Sequence, residues 1–296
     1  MQIIGPEAES QLTWHGLLEA LKAGHRLPRA EIADLLLTRG QDKLLDRAAW
    51  IAGLGALVKV ATVFPGNPAQ GRPSVNGAVT LFDDQTGQLA ALVDFHMVTK
   101  WKTAGDSLLA ATQLARPKSR NFLLVGAGTV ARSMVQAYRA HWPDAQFQVW
   151  SRRRASAEAL GLPVADDLRA AVRWADVICT ATMATKPLIM GEWLQSGQHL
   201  DLIGAYTMDM REVDDTAMRR ARVFVDSRAT TLHHIGEIAQ PLASGALRET
   251  DIIADFYDDP AQFCRHTDDE ITIAKNGGGA HLDLMTTRYI LEAVSS

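Results

Sequence analysis

The sequence predicts an α/β fold: a doubly wound parallel sheet accompanied by an α+β meander. Three observations predict it. From Asn121 onward, short apolar runs alternate with helical stretches, the pattern of a parallel sheet with crossover helices. Within that region, Phe122-Leu-Leu-Val-Gly126-Ala-Gly128-Thr-Val-Ala131 reads as a buried strand, a glycine turn and a helix start. Before residue 116, apolar runs are instead broken by turn residues every roughly ten to fifteen positions, as in an antiparallel meander.

Taken in order, Ser10–Gly24 has the spacing of an amphipathic helix with a glycine stop. Strands follow at Ile32–Leu37, Leu44–Ile51, Leu57–Val63, Ala78–Phe82 and Leu89–Val93. The breaks between them are Arg39-Gly-Gln-Asp, Gly53-Leu-Gly, Pro65-Gly-Asn-Pro and Asp83-Asp-Gln-Thr-Gly. Residues 103–115 read as a helix capped by Thr103, and Arg116-Pro-Lys-Ser as a hinge. Parallel strands are predicted at Phe122–Val125, Phe147–Trp150, Val177–Thr180, Leu200–Ile203 and Val223–Val225. Helices are predicted at 129–141, 155–160, 167–174, 190–195 and 213–221, and a final one at Leu282–Val294. The expected domains are 1–115 plus 283–296, and 116–282.

The 296 residues suffice for two packed domains. Net charge is −4 with no basic block, so neither nucleic acid nor a membrane surface is an expected partner. No apolar run approaches the ~20 residues of a membrane span. Two cysteines, Cys179 and Cys264, make no disulfide framework and fit a reducing cytoplasm. The start lacks the features of a secretory leader. His233-His234 lacks a second ligand cluster, so no metal is expected.

The glycine turn carries chemistry. In a G-x-G-x-x-G/A turn the first glycine makes the tight bend and the second lets backbone approach a pyrophosphate. The third small residue lets the helix sit close to the strand. Those positions are Gly126, Gly128 and Ala131, and Ala127, Thr129 and Val130 complete the phosphate cradle. A helix amino end then faces the phosphates with free N–H groups. A second strand, Val149-Trp-Ser151-Arg152-Arg153, ends about twenty residues on, where NAD-selective sites carry an acid. Serine and arginines suit a 2′-phosphate. The expected cofactor is NADP, with NAD possible.

Several segments resemble the ornithine cyclodeaminase/mu-crystallin family. They are Lys59-Val-Ala-Thr-Val-Phe-Pro-Gly-Asn, Trp101-Lys-Thr-Ala-Gly-Asp-Ser, the Gly126 turn and Thr180-Ala-Thr-Met-Ala-Thr-Lys-Pro. Gly191-Glu-Trp, Gly204-Ala-Tyr-Thr-Met-Asp-Met-Arg-Glu-Val-Asp and Lys275-Asn-Gly-Gly-Gly-Ala complete the set. The resemblance runs in order from about residue 45 to the end. It implies a Rossmann domain inserted in an α+β substrate and dimerisation domain, and a homodimer. It implies that Lys59 sits beside the substrate's carboxylate and nitrogen. The family's R-T-A-A motif falls on Lys102-Thr103-Ala104-Gly105, where lysine replaces arginine and a bidentate fork becomes a point charge. The family's carboxylate-clamping arginine corresponds to Arg29 or Arg47. Cofactor contacts are implied at Ser74, Lys102, Thr103, Ala181, Thr182, Met183, Ala205, Asn276 and Gly277. His281 and Asp283 either line the nicotinamide pocket or cap the last helix.

Position 206 separates two chemistries. Members that cyclise ornithine carry an aspartate there as the general base; this chain has Tyr206, and a phenol with a reference pKa of ~10 is a poor base at neutral pH. The resemblance therefore implies NAD(P)H-dependent reduction of a cyclic imino acid, Δ1-pyrroline-2-carboxylate to proline, with Δ1-piperideine-2-carboxylate as a second substrate. Lys59 and Lys102 are the expected catalytic residues, with Arg29, Arg47 and Tyr206 beside the substrate. The competing classes are an ornithine cyclodeaminase, an amino-acid dehydrogenase and a non-enzymatic NADPH-linked binding protein.

Overall fold

In a computed structural model describing residues 1–295, the chain divides into two units. One is Met1–Lys102 with the segment from Gly279 on; the other is Thr103–Gly278. The sequence places the divides at 115/116 and 282/283. The first divide instead falls within helix α2 (Phe95–Leu114).

The first unit is built on a six-stranded sheet. Its strands are β1 (Gln2–Ile4), β2 (Glu31–Arg39), β3 (Asp42–Ile51), β4 (Gly55–Val63), β5 (Val75–Phe82) and β6 (Leu89–Asp94), in the order β1-β6-β5-β4-β3-β2. Strands β2 to β6 form the antiparallel meander that the turn residues predict. The short β1, absent from the sequence reading, adds parallel to β6; three residues carry too little pattern to be recognised. Helix α1 (Trp14–His25) is capped by Thr13, whose hydroxyl accepts from Gly16 N. The C-terminal helix (Ala280–Ser295) packs on α1, β3 and β4.

Strand β4 buries alternate residues, so Gly55, Leu57, Lys59 and Ala61 share the inward face. A lysine thus stands on an otherwise apolar row. Gly77 on β5 is obligatory for a different reason: a Cβ there would lie 2.1 Å from the Val60 carbonyl.

Helix α2 starts eight residues before the predicted position. Asp94 precedes it and accepts from Met97 N at 2.7 Å, the N-cap arrangement. Thr103 is therefore an interior residue and not a cap, and its N–H belongs to the helix ladder.

The second unit holds a six-stranded, all-parallel sheet. Its strands are β7 (Asn121–Val125), β8 (Gln146–Trp150), β9 (Val177–Thr180), β10 (His199–Leu202), β11 (Arg222–Val225) and β12 (Thr272–Lys275), in the order β11-β12-β10-β9-β7-β8. Strand β8 lies on one side of β7 and β9 on the other. Their carboxyl ends open a crevice where the winding reverses, the place such sheets bind ligands. The crossovers are α3 (Thr129–His141), α4 (Arg154–Glu158), α5 (Leu168–Trp174) and α6 (Asp215–Arg220), followed by α7 (Arg228–Thr231) and α8 (Gly236–Ser244). The predicted helix 190–195 is a single 3-10 turn, Gly191–Trp193. Gly191 packs so closely on Ala217 N that a Cβ would lie 2.2 Å away. Strand β12 escapes the sequence reading because two of its four buried residues are polar, Thr272 and Lys275.

Candidate active site

The cleft of the second unit is built from the β7 turn. Gly126 has φ +112°, and a Cβ there would lie 2.4 Å from the Ala181 carbonyl. Only glycine fits that backbone and that approach. Gly128 is the N-cap of α3 and offers no side-chain cap; a Cβ there would meet nothing within 4 Å. The first-turn N–H groups of α3, at Thr129, Val130 and Ala131, therefore lie behind a bare backbone face, a cradle for phosphate.

A cleft of about 720 Å³ opens beside this turn. Gly126, Ala127 and Gly128 line it with Ser151, Arg152, Arg153 and Ser156 from the end of β8. The loop Ala181–Lys186 closes the other side, with Thr182, Met183 and Lys186 among its lining residues. No carboxylate belongs to the lining. Lys186, a third cation, was not singled out from the sequence.

Behind the loop lies a buried ionic network. Glu212, fully buried, accepts from Thr180 Oγ1 (2.7 Å), Thr182 N (2.8 Å), Thr182 Oγ1 (2.7 Å) and Gly204 N (2.7 Å). It ties the cleft loop to the turn after β10. Glu237 in turn accepts from the backbone N–H groups of Glu212 (2.8 Å) and Val213 (3.1 Å). Burial and the Glu212 charge push the Glu237 carboxyl up to about 7, against the pull of Lys275. Lys275 is fully buried and donates to the Leu202 carbonyl at 2.9 Å. Burial lowers its pKa, opposed by Glu237, Glu212, Asp226 and Asp106.

Several predicted contacts take up defined places. Asn276 donates through Nδ2 to the Thr103 carbonyl (3.0 Å) and Ser107 Oγ (3.1 Å), joining the end of β12 to α2. Gly277 and Gly278 each donate to Asp226 Oδ2 at 2.9 Å. Ala205 is buried with Met210 and Ile235, whereas Tyr206 is 59% exposed.

The first unit gathers the predicted cations. Lys59 Nζ donates to Asp283 Oδ1 at 2.8 Å and to Thr99 Oγ1 at 2.7 Å, and lies 4.8 Å from the Phe95 ring centre. Arg47 stands opposite Lys59 in the β3–β4 register, and directly opposed residues share a face. Its guanidinium is bidentate on Asp34, Nε donating to Oδ1 at 3.1 Å and Nη2 to Oδ2 at 2.9 Å. Lys102 on α2 is buried. Burial pushes the Asp283 carboxyl up, but Lys59, Lys102 and Arg47 outweigh it and hold the group below its ordinary value. Burial, then the charges of His25, Lys102, Arg47 and Arg29, pushes His281 well down, so its ring is neutral at neutral pH. Arg29 itself is exposed and lines a groove with Trp50 and Asp84. Ser74 precedes β5 and accepts from Phe64 N at 2.7 Å. His281 and Asp283 lie inside the C-terminal helix, which begins at Ala280, and both are fully buried.

A family model, "Ornithine cyclodeaminase/mu-crystallin family", matches residues 50–296. The chain belongs to the ornithine cyclodeaminase/mu-crystallin family. Within it, the chain is 48% identical to Δ1-pyrroline-2-carboxylate reductase of Paracoccus denitrificans, across 98% of this chain and 95% of that protein. It is 34% identical to ketimine reductase mu-crystallin of Mus musculus, across 80% and 76%. The solved structure of Thermococcus litoralis Δ1-pyrroline-2-carboxylate reductase in complex with NADH and L-proline superposes with a TM-score of 0.89. It shares 24% identity, covering 100% of this chain and 98% of that one, a likeness of fold.

The Glu237 carboxyl sets a pH test. Its folded value, about 7, lies above its ordinary 4.5, so the native state binds this proton more tightly than the unfolded chain does. That contribution is full below ~4.5 and is lost as pH rises through 7. Glu237→Gln mimics the protonated form. Thermal unfolding of variant and parent should therefore change in the variant's favour between pH 5 and pH 8; a difference independent of pH would contradict the assignment.

Proposed function

We propose that this protein is an NADPH-dependent reductase of cyclic imino acids. It converts Δ1-pyrroline-2-carboxylate to L-proline and takes the six-membered Δ1-piperideine-2-carboxylate as a second substrate. The observation that carries the reading is the 48% identity, over 98% of the chain, to a protein of that name. The site chemistry agrees with it. The Gly126 turn, the uncapped start of α3 and the bare face at Gly128 fit a pyrophosphate. Ser151, Arg152, Arg153 and Lys186 line a cleft without a carboxylate, which favours a 2′-phosphate and leaves NADH as the weaker alternative. When bound, the dihydronicotinamide supplies a hydride to C2 of the imine.

The residues supply binding and a proton. A C=N bond accepts hydride far better when its nitrogen is protonated. Lys59 is the donor to that nitrogen, and Lys102 and Arg47 hold the α-carboxylate by charge. Arg29, exposed and on a separate groove, is the weaker candidate for that clamp. Ser74, Thr103, Ala205, Asn276 and Gly277 complete the proposed cofactor surroundings, Thr103 through its side chain, and Tyr206 lies beside the substrate. Tyr206 in place of an aspartate speaks against ornithine cyclisation.

The protein works as a homodimer. Strand β2 is an edge strand whose Leu35, Leu36 and Leu37 are each more than half exposed. A long apolar edge invites pairing with another chain, here a second copy. Cys179 and Cys264 are unbridged, in keeping with a reducing cytoplasm.

The assay is loss of reduced-nicotinamide absorbance with Δ1-pyrroline-2-carboxylate, set against ornithine alone and pyruvate with ammonia. Turnover of the cyclic imine is expected; proline from ornithine without it would overturn the reading. Arg152→Asp should lower the NADPH/NADH preference by roughly 10- to 100-fold, the worth of one or two charge-assisted contacts; an unchanged ratio would remove the 2′-phosphate argument. Lys59→Met should cut kcat by ~10²–10⁴-fold and leave NADPH affinity within a few-fold of the parent.

A further inference from the structure

We propose that Asp283 is the positioning residue of the proton donor: its buried carboxylate, together with Thr99, holds Lys59 as an oriented ammonium with one N–H left for transfer. The inference rests on the reductase reading and deepens it by assigning a residue that the sequence left between two other roles.

The alternation of β4 places Lys59 on the same inward row as Leu57 and Ala61, and a lone ammonium there costs several kcal/mol of lost hydration unless it is answered. Two elements answer it. The C-terminal helix brings Asp283, with Oδ1 2.8 Å from Nζ, and α2 brings Thr99, with Oγ1 at 2.7 Å. Thr99 gives its own hydroxyl proton to the Phe95 carbonyl at 2.8 Å, so it can only accept from Lys59. An ammonium carries three N–H bonds. Two are occupied, and the third has no hydrogen-bond partner among the described residues.

Asp283 is not the proton's source. Its Oδ2 is buried and receives no hydrogen bond, so among the described residues Lys59 is the one hydrogen-bond donor to the carboxylate. Lys102 and Arg47 act on the same carboxyl, and their charges keep it ionised when Lys59 becomes a neutral amine. One N–H bond of the Lys59 ammonium breaks and an N–H bond forms on the ring nitrogen. C2 receives a hydride from NADPH, which is oxidised to NADP⁺. Lys59 regains its proton from water.

Asp283→Asn keeps the side-chain shape and removes the charge. The ammonium then loses its charged acceptor and its fixed direction. kcat should fall roughly 10- to 100-fold, the cost of a misdirected reacting group, with KM for NADPH unchanged. Asp283→Glu, which keeps the carboxylate, should restore part of kcat. A separate readout uses no substrate: the NMR signal of the Lys59 ammonium protons in the ligand-free full chain. It should be resolved in the parent, where the 2.8 Å contact to Asp283 holds the group, and lost to solvent exchange in Asp283→Asn. An active parent with unchanged kcat in Asp283→Asn, or an ammonium signal unchanged in that variant, overturns the inference. A parent that reduces no cyclic imine but loses the signal in Asp283→Asn overturns the reductase reading and leaves the pair intact. Should Asp283→Asn not fold, Thr99→Val tests the second anchor. It should cut kcat at least about tenfold at every pH while leaving KM for NADPH unchanged, and parental kcat would overturn the inference.

Discussion

A buried ammonium is the constraint around which the first unit is organised. Lys59 lies on a row of a β-strand that otherwise packs apolar side chains, and Asp283 meets it from a helix 224 positions away in the chain. Breaking such a pair by removing one partner typically costs about 3–5 kcal/mol. The C-terminal helix is thereby tied to the meander by charge as well as by packing. In the proposed reaction the same pairing also presents a proton, so that one interaction would serve both stability and chemistry.

The second unit handles buried charge in another way. Glu212, Glu237 and Lys275 are fully buried, and their hydrogen bonds go largely to backbone. Glu212 takes two backbone N–H groups and two hydroxyls, from the strand end and loop that form one side of the cleft and from the turn after β10. The loop bearing Thr182 and Met183 is irregular, yet its conformation is specified by a fully buried carboxylate. That is the advantage of a polar network under a binding loop: fully satisfied, it fixes one backbone shape.

The features legible in the sequence are those written in local pattern. The Gly126 turn and the alternation of strands with helices follow from spacing within a few residues. The chain's membership in its family follows from motifs spread along it. Less legible were features that depend on distant partners. Thr103 looked like a cap because Asp94, the real N-cap, is preceded by a strand rather than a loop. Strand β12 was hidden because its buried Thr272 and Lys275 find partners only in the folded sheet. Asp283 is a single acid near a helix start until the fold brings Lys59 to it. Glu212 sits inside a recognised motif, yet its four donors come from two separate stretches of chain, Thr180–Thr182 and Gly204.

The central claim is that a hydride is delivered to C2 of a cyclic imine whose nitrogen this chain protonates. Its most direct measurement is the fate of deuterium from NADPH labelled at the transferable C4 position, with Δ1-pyrroline-2-carboxylate as acceptor. The account predicts L-proline carrying one deuterium at Cα for each cofactor oxidised. Proline without the label, or label oxidised from the cofactor without proline, would contradict it.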